Sequence, residues 1–327
     1  MKVAIIGLGA ISPLHVNAII SAGQEIVAVC DIVKERCDNV IKEFNLKANA
    51  YQNYKEMLDS EVLDCVHVCT PHYLHAEMII SALNKNLNVV TEKPVAISFK
   101  QLEEVEKAVE NSTGKVAVCQ QNRYNDAVLF AKDYFKNKKI KSAYGSLIWN
   151  RDASYYASGE WRGKWATEGG GVMINQALHT LDLLQWFCGM PKKVTATINN
   201  HSLKNEIEVE DTAFGVFTVD DETNFIITAT NSAKKTFPIV LNFATDTDVM
   251  QITMDNVILN GKFITKSDGQ SAIGKEVWGT GHVKLIGDFY KKLESGEKFE
   301  LDFYEARKVV KLILAMYSSC GKEILVK

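Results

Sequence analysis

The sequence predicts an α/β domain with a parallel, doubly wound sheet, followed by an α+β domain with a largely antiparallel open sheet. Three observations carry that expectation. Up to about residue 120, short apolar runs alternate with helical patterns at the spacing of βαβ units. Beyond it, strand-like runs succeed one another across tight turns, the pattern of antiparallel neighbours. The length of 327 residues suits two cores better than one, and the change of pattern divides them at 1–120 and 121–327.

The elements justify themselves in order. Lys2 to Ile6 read KVAII, an apolar strand, and run into Gly7-Leu8-Gly9-Ala10-Ile11-Ser12. A helical pattern then continues to Ile20, with Pro13 in the first turn, where a missing N–H costs nothing. The next apolar run, Ile26 to Cys30, closes on Asp31. Strand, glycine turn, helix, strand and acid in this order make a dinucleotide-binding fingerprint. Gly7 permits the turn and Gly9 lets backbone approach a pyrophosphate. Ala10 and Ile11 lead into a helix whose unpaired N–H groups face that pyrophosphate. Asp31 is placed to accept ribose hydroxyls. Ser12 stands where the fingerprint has its third glycine, a position that needs a small residue for helix–strand packing. A carboxylate repels a 2′-phosphate, so Asp31 favours NAD over NADP, with Lys34 and Arg36 near enough to soften the preference.

A helix to about Asn45, a short strand at Ala50-Tyr51 and a short helix from Tyr54 follow. Asp64 to Cys69 is a buried strand ending in Thr70-Pro71, and a helix runs from Tyr73 to Leu83. Asn88 to Thr91 is a strand ending in Glu92-Lys93-Pro94. A helix from about Ser98 to Glu110 leads to the strand Lys115 to Cys119. Ligands of a doubly wound sheet bind at the carboxyl ends of its strands. The glycine turn, Thr70, Pro71 and Glu92-Lys93 all fall there and join Gly7, Gly9, Ala10, Ile11 and Asp31 as expected cofactor-binding residues. Lys93 ends a buried strand, and a cis Lys93–Pro94 bond would aim its ammonium. His67 and His75 read as structural histidines. His15 has no assigned role.

The second domain opens with a helix from about Ala127 to Asn137. Strands are expected at Ala143–Arg151, Val194–Asn200, Asp211–Val219, Asn224–Asn231, Pro238–Phe243 and Val249–Met254. Helices are expected near His282–Leu293 and over Phe303–Ser319. Gly169-Gly170-Gly171 open a helix that runs through Asp182, placing Asn175, His179 and Asp182 along one face. Three glycines cost backbone entropy and suggest close approach to something. A histidine beside a ligand cleft can take a proton near neutral pH. A buried histidine bonded to Asp182 or a carbonyl is the other reading, and both stay open at this point.

Composition excludes several classes. With 46% hydrophobic and 24% charged residues and a net charge of -3, the chain reads as a soluble globular protein without a basic footprint for nucleic acid. No apolar run approaches the roughly 18 residues of a membrane span. Nothing at the start reads as a signal peptide. Seven cysteines without a CxxC pair read as reduced thiols of a cytoplasmic protein, with no metal site.

The glycine turn, Glu92-Lys93-Pro94 and the series Gly169-Gly170-Gly171, Asn175, His179, Asp182 together resemble the Gfo/Idh/MocA oxidoreductases, across essentially the whole chain. The resemblance implies an N-terminal Rossmann domain. It also implies a C-terminal domain whose open sheet mediates assembly as a homodimer or homotetramer. The implied reaction is oxidation or reduction of a sugar, cyclitol or polyol carbon with NAD or NADP. Lys93 matches the family's lysine beside the nicotinamide, and His179 matches the acid/base histidine of the inositol dehydrogenase-like members. Asn175 stands where those members carry aspartate. A neutral amide can orient a hydroxyl but relays no proton, which leaves Lys93 and His179 as the expected catalytic pair. Arg123, Tyr124, Asn175, Trp161 and Arg162 are expected to meet substrate hydroxyls, within an aromatic-rich stretch from Trp149 to Trp165. Those aromatics could equally anchor loops or a subunit interface. Arg151 and Arg162 could meet a carboxylate or phosphate, which leaves nucleotide sugars and uronates open. Other branches are glycoside cleavage through transient hydride transfer, dihydrodiol or biliverdin reduction, and a cofactor-sensing regulator without chemistry.

Overall fold

A computed structural model describes residues 1–253, 256–265 and 280–326. It divides into two compact units, Met1–Tyr124 with Gly269–Arg307, and Asn125–Asp268 with Lys308–Lys327.

The first unit alternates strand and helix. Its elements are β1 (Lys2–Ile6), α1 (Ser12–Ser21), β2 (Glu25–Cys30), α2 (Lys34–Glu43), β3 (Asn49–Tyr51), α3 (Tyr54–Ser60), β4 (Cys65–Val68), α4 (His72–Leu83), β5 (Asn88–Thr91), α5 (Phe99–Glu110) and β6 (Val116–Val118). The six strands form one all-parallel sheet in the order β3-β2-β1-β4-β5-β6. The order reverses beside β1, so the carboxyl ends of β1, β2 and β4 flank the switch point where such sheets bind ligands. Apart from the exposed edge strand β3, the strands are buried along both faces, as their near-continuous Val, Ile and Cys content requires.

The second unit holds α6 (Asp126–Tyr134), β7 (Ser142–Ile148), α7 (Ala153–Ala157), α8 (Val172–Asn175), α9 (Leu178–Cys188), β8 (Lys193–Asn199), β9 (Thr212–Thr218), β10 (Asn224–Thr230), β11 (Val240–Ala244), β12 (Val249–Ile252), β13 (Asn256–Leu259) and β14 (Lys262–Thr265). Then come α10 (Gly281–Ser295), α11 (Phe303–Ser319) and β15 (Ile324–Leu325). Helix α10 groups with the first unit: Leu285, Ile286, Phe289 and Tyr290 are buried in the same cluster as Val16 and Ile19 of α1. The chain thus returns to the first unit at α10, which a single division at residue 120 does not contain. The nine-stranded sheet runs β14-β13-β12-β11-β7-β10-β9-β8-β15. Every pair is antiparallel except β7 with β10. One face is covered from within the unit. A Cβ on Gly145 would meet Thr180 and Leu184 of α9 at 2.8 and 2.9 Å, and one on Gly215 would meet Met316 of α11 at 3.0 Å.

Two details depart from the sequence reading. The helix expected from the triple glycine through Asp182 is two helices, α8 and α9. Between them Ala177 N–H bonds Val172 C=O at 2.8 Å, a wide turn that shifts the helical register. Asp182 is buried while Asn175 and His179 are partly exposed, so the three do not share one exposed face. The hairpin β13–β14 lies beyond the expected strands. The strand expected over Val249–Met254 is β12, and Met254 lies outside the described residues.

Candidate functional site

The glycine turn of the first unit lies at its switch point. Gly7 has φ +89°, and a Cβ there would lie 2.7 Å from Cys69 O, so the turn sits against the end of β4. Nothing of the chain lies within 4 Å of a Cβ built on Gly9, which leaves room for a group that approaches backbone. Ser12 Oγ donates to Gly9 C=O at 2.8 Å and Ser12 N–H to the same oxygen at 3.1 Å. The serine therefore closes the turn that a third glycine would only permit. Ile11 precedes α1 with no side-chain cap and no acid in the first turn, so the helix N-terminus stays available to an anion. Asp31 is buried. Its Oδ2 accepts from Leu8 N–H at 2.8 Å and its Oδ1 from Val33 N–H at 2.9 Å, with Arg36 Nη1 at 3.3 Å. The carboxylate is thus tied to the glycine turn, and a cation stands next to it.

Thr70 and Pro71 lie at the end of β4, Glu92 and Lys93 at the end of β5. The Lys93–Pro94 bond is cis. His75 joins these two strand ends: its ring nitrogens lie 2.7 Å from Thr70 C=O and from Pro94 C=O, and the single N–H of the neutral ring donates to one of them. Burial lowers its pKa, and the two carbonyls oppose that shift. His75 is thus the structural histidine the sequence suggested.

Behind Lys93 lies a buried polar chain that sequence reasoning did not find. A ligand-type atom from each of His15, Glu92, Cys119 and His282 lies within 4.8 Å of the others. Donor types of this kind suit a divalent transition metal, yet hydrogen bonds alone account for the arrangement. With Glu92 ionised, His15 Nε2–H and His282 Nε2–H both donate to its Oε1, at 3.2 and 3.0 Å. His67 Nδ1–H then donates to His15 Nδ1 at 2.8 Å, and Tyr290 O–H to His67 Nε2 at 2.7 Å. This assignment leaves each histidine neutral, in accord with burial lowering the pKa of His15 and His67. Burial opposes the charge on Glu92, but the bonds from His15 and His282 hold its carboxyl well below the usual range. Glu92 Oε2 accepts Lys93 N–H at 3.3 Å, so the buried anion also steadies the backbone that carries the lysine.

Two expected substrate ligands are occupied elsewhere in this unit. Arg123 is buried and ion-paired with Glu305 at 3.0 Å. Tyr124 O–H donates to Asp288 Oδ2 at 2.7 Å, and burial pushes its pKa up. Both are engaged in ties within this unit.

In the second unit, the glycine series is shaped by close backbone approach. A Cβ on Gly171 would lie 1.9 Å from Glu210 O, and one on Gly170 would lie 2.0 Å from Tyr317 Oη. Glu210 accepts from Gly171 N–H, Met173 N–H and Tyr317 O–H at 2.8, 3.0 and 2.9 Å and so caps α8. Burial raises its pKa to about 7. The glycines therefore serve packing within the protein. Asn175 donates its amide to Glu168 Oε1, and to Tyr155 Oη at 3.3 Å. Glu168 is fully buried and also accepts Gly163 N–H at 2.5 Å. A carboxylate thus stands directly behind the amide that replaces the expected aspartate. The sequence signal was an acid immediately before the triple glycine. His179, near the start of α9, is partly exposed.

Trp161 and Arg162 belong to a stack of rings and guanidinium groups. Arg162 Cζ lies 4.5 Å from the Trp161 ring and 4.6 Å from the Tyr155 ring; Arg151 Cζ lies 5.0 Å from Tyr155 and 4.7 Å from Trp149. Trp165 instead anchors its loop: Nε1–H donates to Glu208 C=O at 3.0 Å and the indole meets Tyr317 edge-on.

Comparison with known proteins places these features. Residues 1–120 match a family described as an oxidoreductase family with an NAD-binding Rossmann fold, and residues 139–247 match the GFO/IDH/MocA C-terminal domain. The chain is 28% identical over 144 residues to inositol 2-dehydrogenase of Salmonella typhimurium, 43% of each protein. It is 26% identical over 194 residues to scyllo-inositol 2-dehydrogenase (NAD(+)) of Bacillus subtilis, 58% of this chain and 54% of that protein. The alignments thus span about half of these curated relatives. Among solved structures, the WlbA dehydrogenase of Bordetella pertussis in complex with NADH and UDP-GlcNAcA superposes with a TM-score of 0.88 at 23% identity, over 100% of this chain and 98% of that one. At such identity the likeness establishes the fold.

Proposed function

The chain belongs to the GFO/IDH/MocA oxidoreductase family, and on that premise we propose that it catalyses hydride transfer between NAD(H) and a hydroxyl-bearing carbon of a sugar, cyclitol or sugar derivative. The observation that carries this reading is the composition of one sheet edge. The first unit sets a glycine turn with open space at Gly9, an acid tied to that turn and Lys93 at the ends of its parallel strands. The names of the aligned relatives, inositol dehydrogenases, support the substrate class.

Gly7, Gly9, Ala10 and Ile11 would hold the pyrophosphate, Asp31 the ribose, and Thr70, Pro71, Glu92 and Lys93 the rest of the nucleotide. Bound NAD supplies the hydride acceptor. Lys93 stabilises negative charge on the reacting oxygen, and His179 takes the hydroxyl proton. Asn175, held by Glu168, orients a substrate hydroxyl through the same array. The Asp31 carboxylate favours NAD; Arg36 beside it leaves NADP as the weaker cofactor.

The proposal extends to assembly and location. One face of the large sheet carries Tyr144, Phe214 and Phe263, all exposed among the described residues, which supports a homodimer or homotetramer formed through it. No helix among the described residues is long and apolar enough to cross a membrane. Seven unpaired cysteines support a reducing, cytoplasmic setting.

The test is a panel of sugars, polyols and glycosides incubated with NAD+ and followed by NADH absorbance and by product analysis. Net NADH with a keto product supports the dehydrogenase. Glycoside cleavage without net NADH would move the protein to the glycosidase branch. Cofactor binding with neither would leave a sensor.

A further inference from the structure

We infer that Tyr155, Arg151 and Arg162 form an anion-recognising subsite, so that the substrate is a sugar bearing a carboxylate or phosphate. The inference rests on the dehydrogenase reading only in calling the ligand a substrate. Two guanidinium groups stand over the Tyr155 ring, with Arg151 Cζ at 5.0 Å and Arg162 Cζ at 4.6 Å from its centroid. Neither arginine has a carboxylate within ion-pair distance among the described residues. Arg162 Nη1 donates to Tyr155 Oη at 2.7 Å, and Arg151 Nη1 to the carbonyl of its neighbour Asn150 at 2.8 Å. Arg151 Nε is buried with no hydrogen-bond partner, a donor that costs free energy until an acceptor meets it.

The phenol fixes one of these cations in place. Tyr155 Oη faces Arg162 Nη1 at 2.7 Å, Gln176 Nε2 at 2.9 Å and Asn175 Nδ2 at 3.3 Å. Gln176 is itself ordered by Asn231 Nδ2, which donates to Gln176 Oε1 at 3.1 Å. Glu168, the buried acid of this region, already accepts from Gly163 N–H and Asn175. The cluster therefore presents two guanidinium groups next to Asn175, one of them held by the phenol. A neutral sugar offers acceptors too, but only an anion also neutralises two cations, and a guanidinium fork matches the spacing of carboxylate or phosphate oxygens.

The experiment compares matched pairs on the full chain loaded with NAD+: D-glucuronate against D-glucose, D-galacturonate against D-galactose, and D-glucose 6-phosphate against D-glucose. Calorimetry gives the affinities and NADH absorbance is followed in the same samples. The expected result is at least tenfold tighter binding of the anionic member in one class of pairs; the acid pairs or the phosphate pair then identify the source of the anion. In Arg151→Gln that ratio falls to within threefold. Tyr155→Phe keeps the stacked ring, removes the hydroxyl that holds Arg162 and lowers the ratio at least threefold, which guards against a misfolded arginine variant. No anion preference in any pair, through equal binding or none, overturns the subsite, as does a preference that survives both variants. Anion preference without NADH in any sample leaves the subsite and removes the dehydrogenase. NADH from neutral sugars without preference does the reverse.

Discussion

The two glycines of the opening turn have separable tasks, and replacing each one tests that separation. At Gly7 the backbone has φ +89°, and an added Cβ would fall 2.7 Å from Cys69 O and 2.8 Å from Thr70 Cγ2. The left-handed conformation costs a side-chain-bearing residue about 1–2 kcal/mol, and overpacking against fixed backbone costs about 1–3 kcal/mol more. Gly7→Ala should therefore lose about 2–5 kcal/mol, a large share of the roughly 5–15 kcal/mol that holds a protein folded. In a unit of this size that is a fall of roughly 5–20 °C in melting temperature. Gly9 has neither problem, since nothing lies within 4 Å of its Cβ direction. Gly9→Val should melt within a few degrees of the parent, yet bind NAD+ at least tenfold more weakly, because its side chain enters the space left for the pyrophosphate. Thermal melts of the apo proteins and calorimetric titration with NAD+ measure both effects. A Gly7→Ala protein as stable as the parent, or a Gly9→Val protein with parental NAD+ affinity, refutes the reasoning.

Other expectations follow from the same sites. Lys93→Ala should lower kcat at least about a hundredfold while calorimetry still detects NAD+ binding, since its main task is charge stabilisation in the transition state; unchanged turnover removes it from the chemistry. His179→Asn should flatten the pH dependence of kcat/KM, and a parental profile would dismiss it as the base. Asp31→Asn should lower the preference for NAD over NADP at least tenfold in paired titrations. Burial lowers the pKa of His15, His67 and His75, so the unfolded chain binds more protons than the native one below about pH 6.5. Stability should be fully present above that pH and lost as pH falls, at up to about 1.4 kcal/mol per pH unit for each histidine. Glu92, held well below its usual range, adds to the loss below about pH 4.3. Urea unfolding between pH 5 and 8, compared with His67→Gln, should show a shallower fall in the variant.

How much of the fold could be read from the sequence depended on how local the determining contacts are. The segment β1–α1–β2 was legible because apolar period, glycine turn and terminal acid all lie within 31 residues. Helix α11 was legible because its helical pattern is long. The hairpin β13–β14 was missed although its signal is local: Asn260 and Gly261 both have positive φ, 50° and 76°, as a two-residue loop of the primed type needs. The break between α8 and α9 has no such signal. No proline or glycine stands at Gln176-Ala177. The start of α8 is fixed by Glu210, far along the chain, and the position of α9 by packing of Thr180 and Leu184 over Gly145. Helical periodicity continues through the break because only tertiary contacts impose it.

The site divides along the same line. Glycine, acid and strand-end lysine were readable because their tasks belong to backbone geometry at one sheet edge. The internal ties of Arg123 and Tyr124 were not readable because a polar residue after a strand reveals its location but not its partner. Their partners, Glu305 and Asp288, lie 182 and 164 residues away. Tyr155 and Glu168 lie much nearer in sequence to Asn175, yet their meaning came from hydrogen-bond direction, which no spacing encodes. An arginine such as Arg123, its charge neutralised inside one unit, and one such as Arg151, with a buried donor still unmatched, look alike in the sequence. What separates them physically is the cost of the unmatched donor, and that cost marks Arg151 rather than Arg123 as the residue that awaits a ligand.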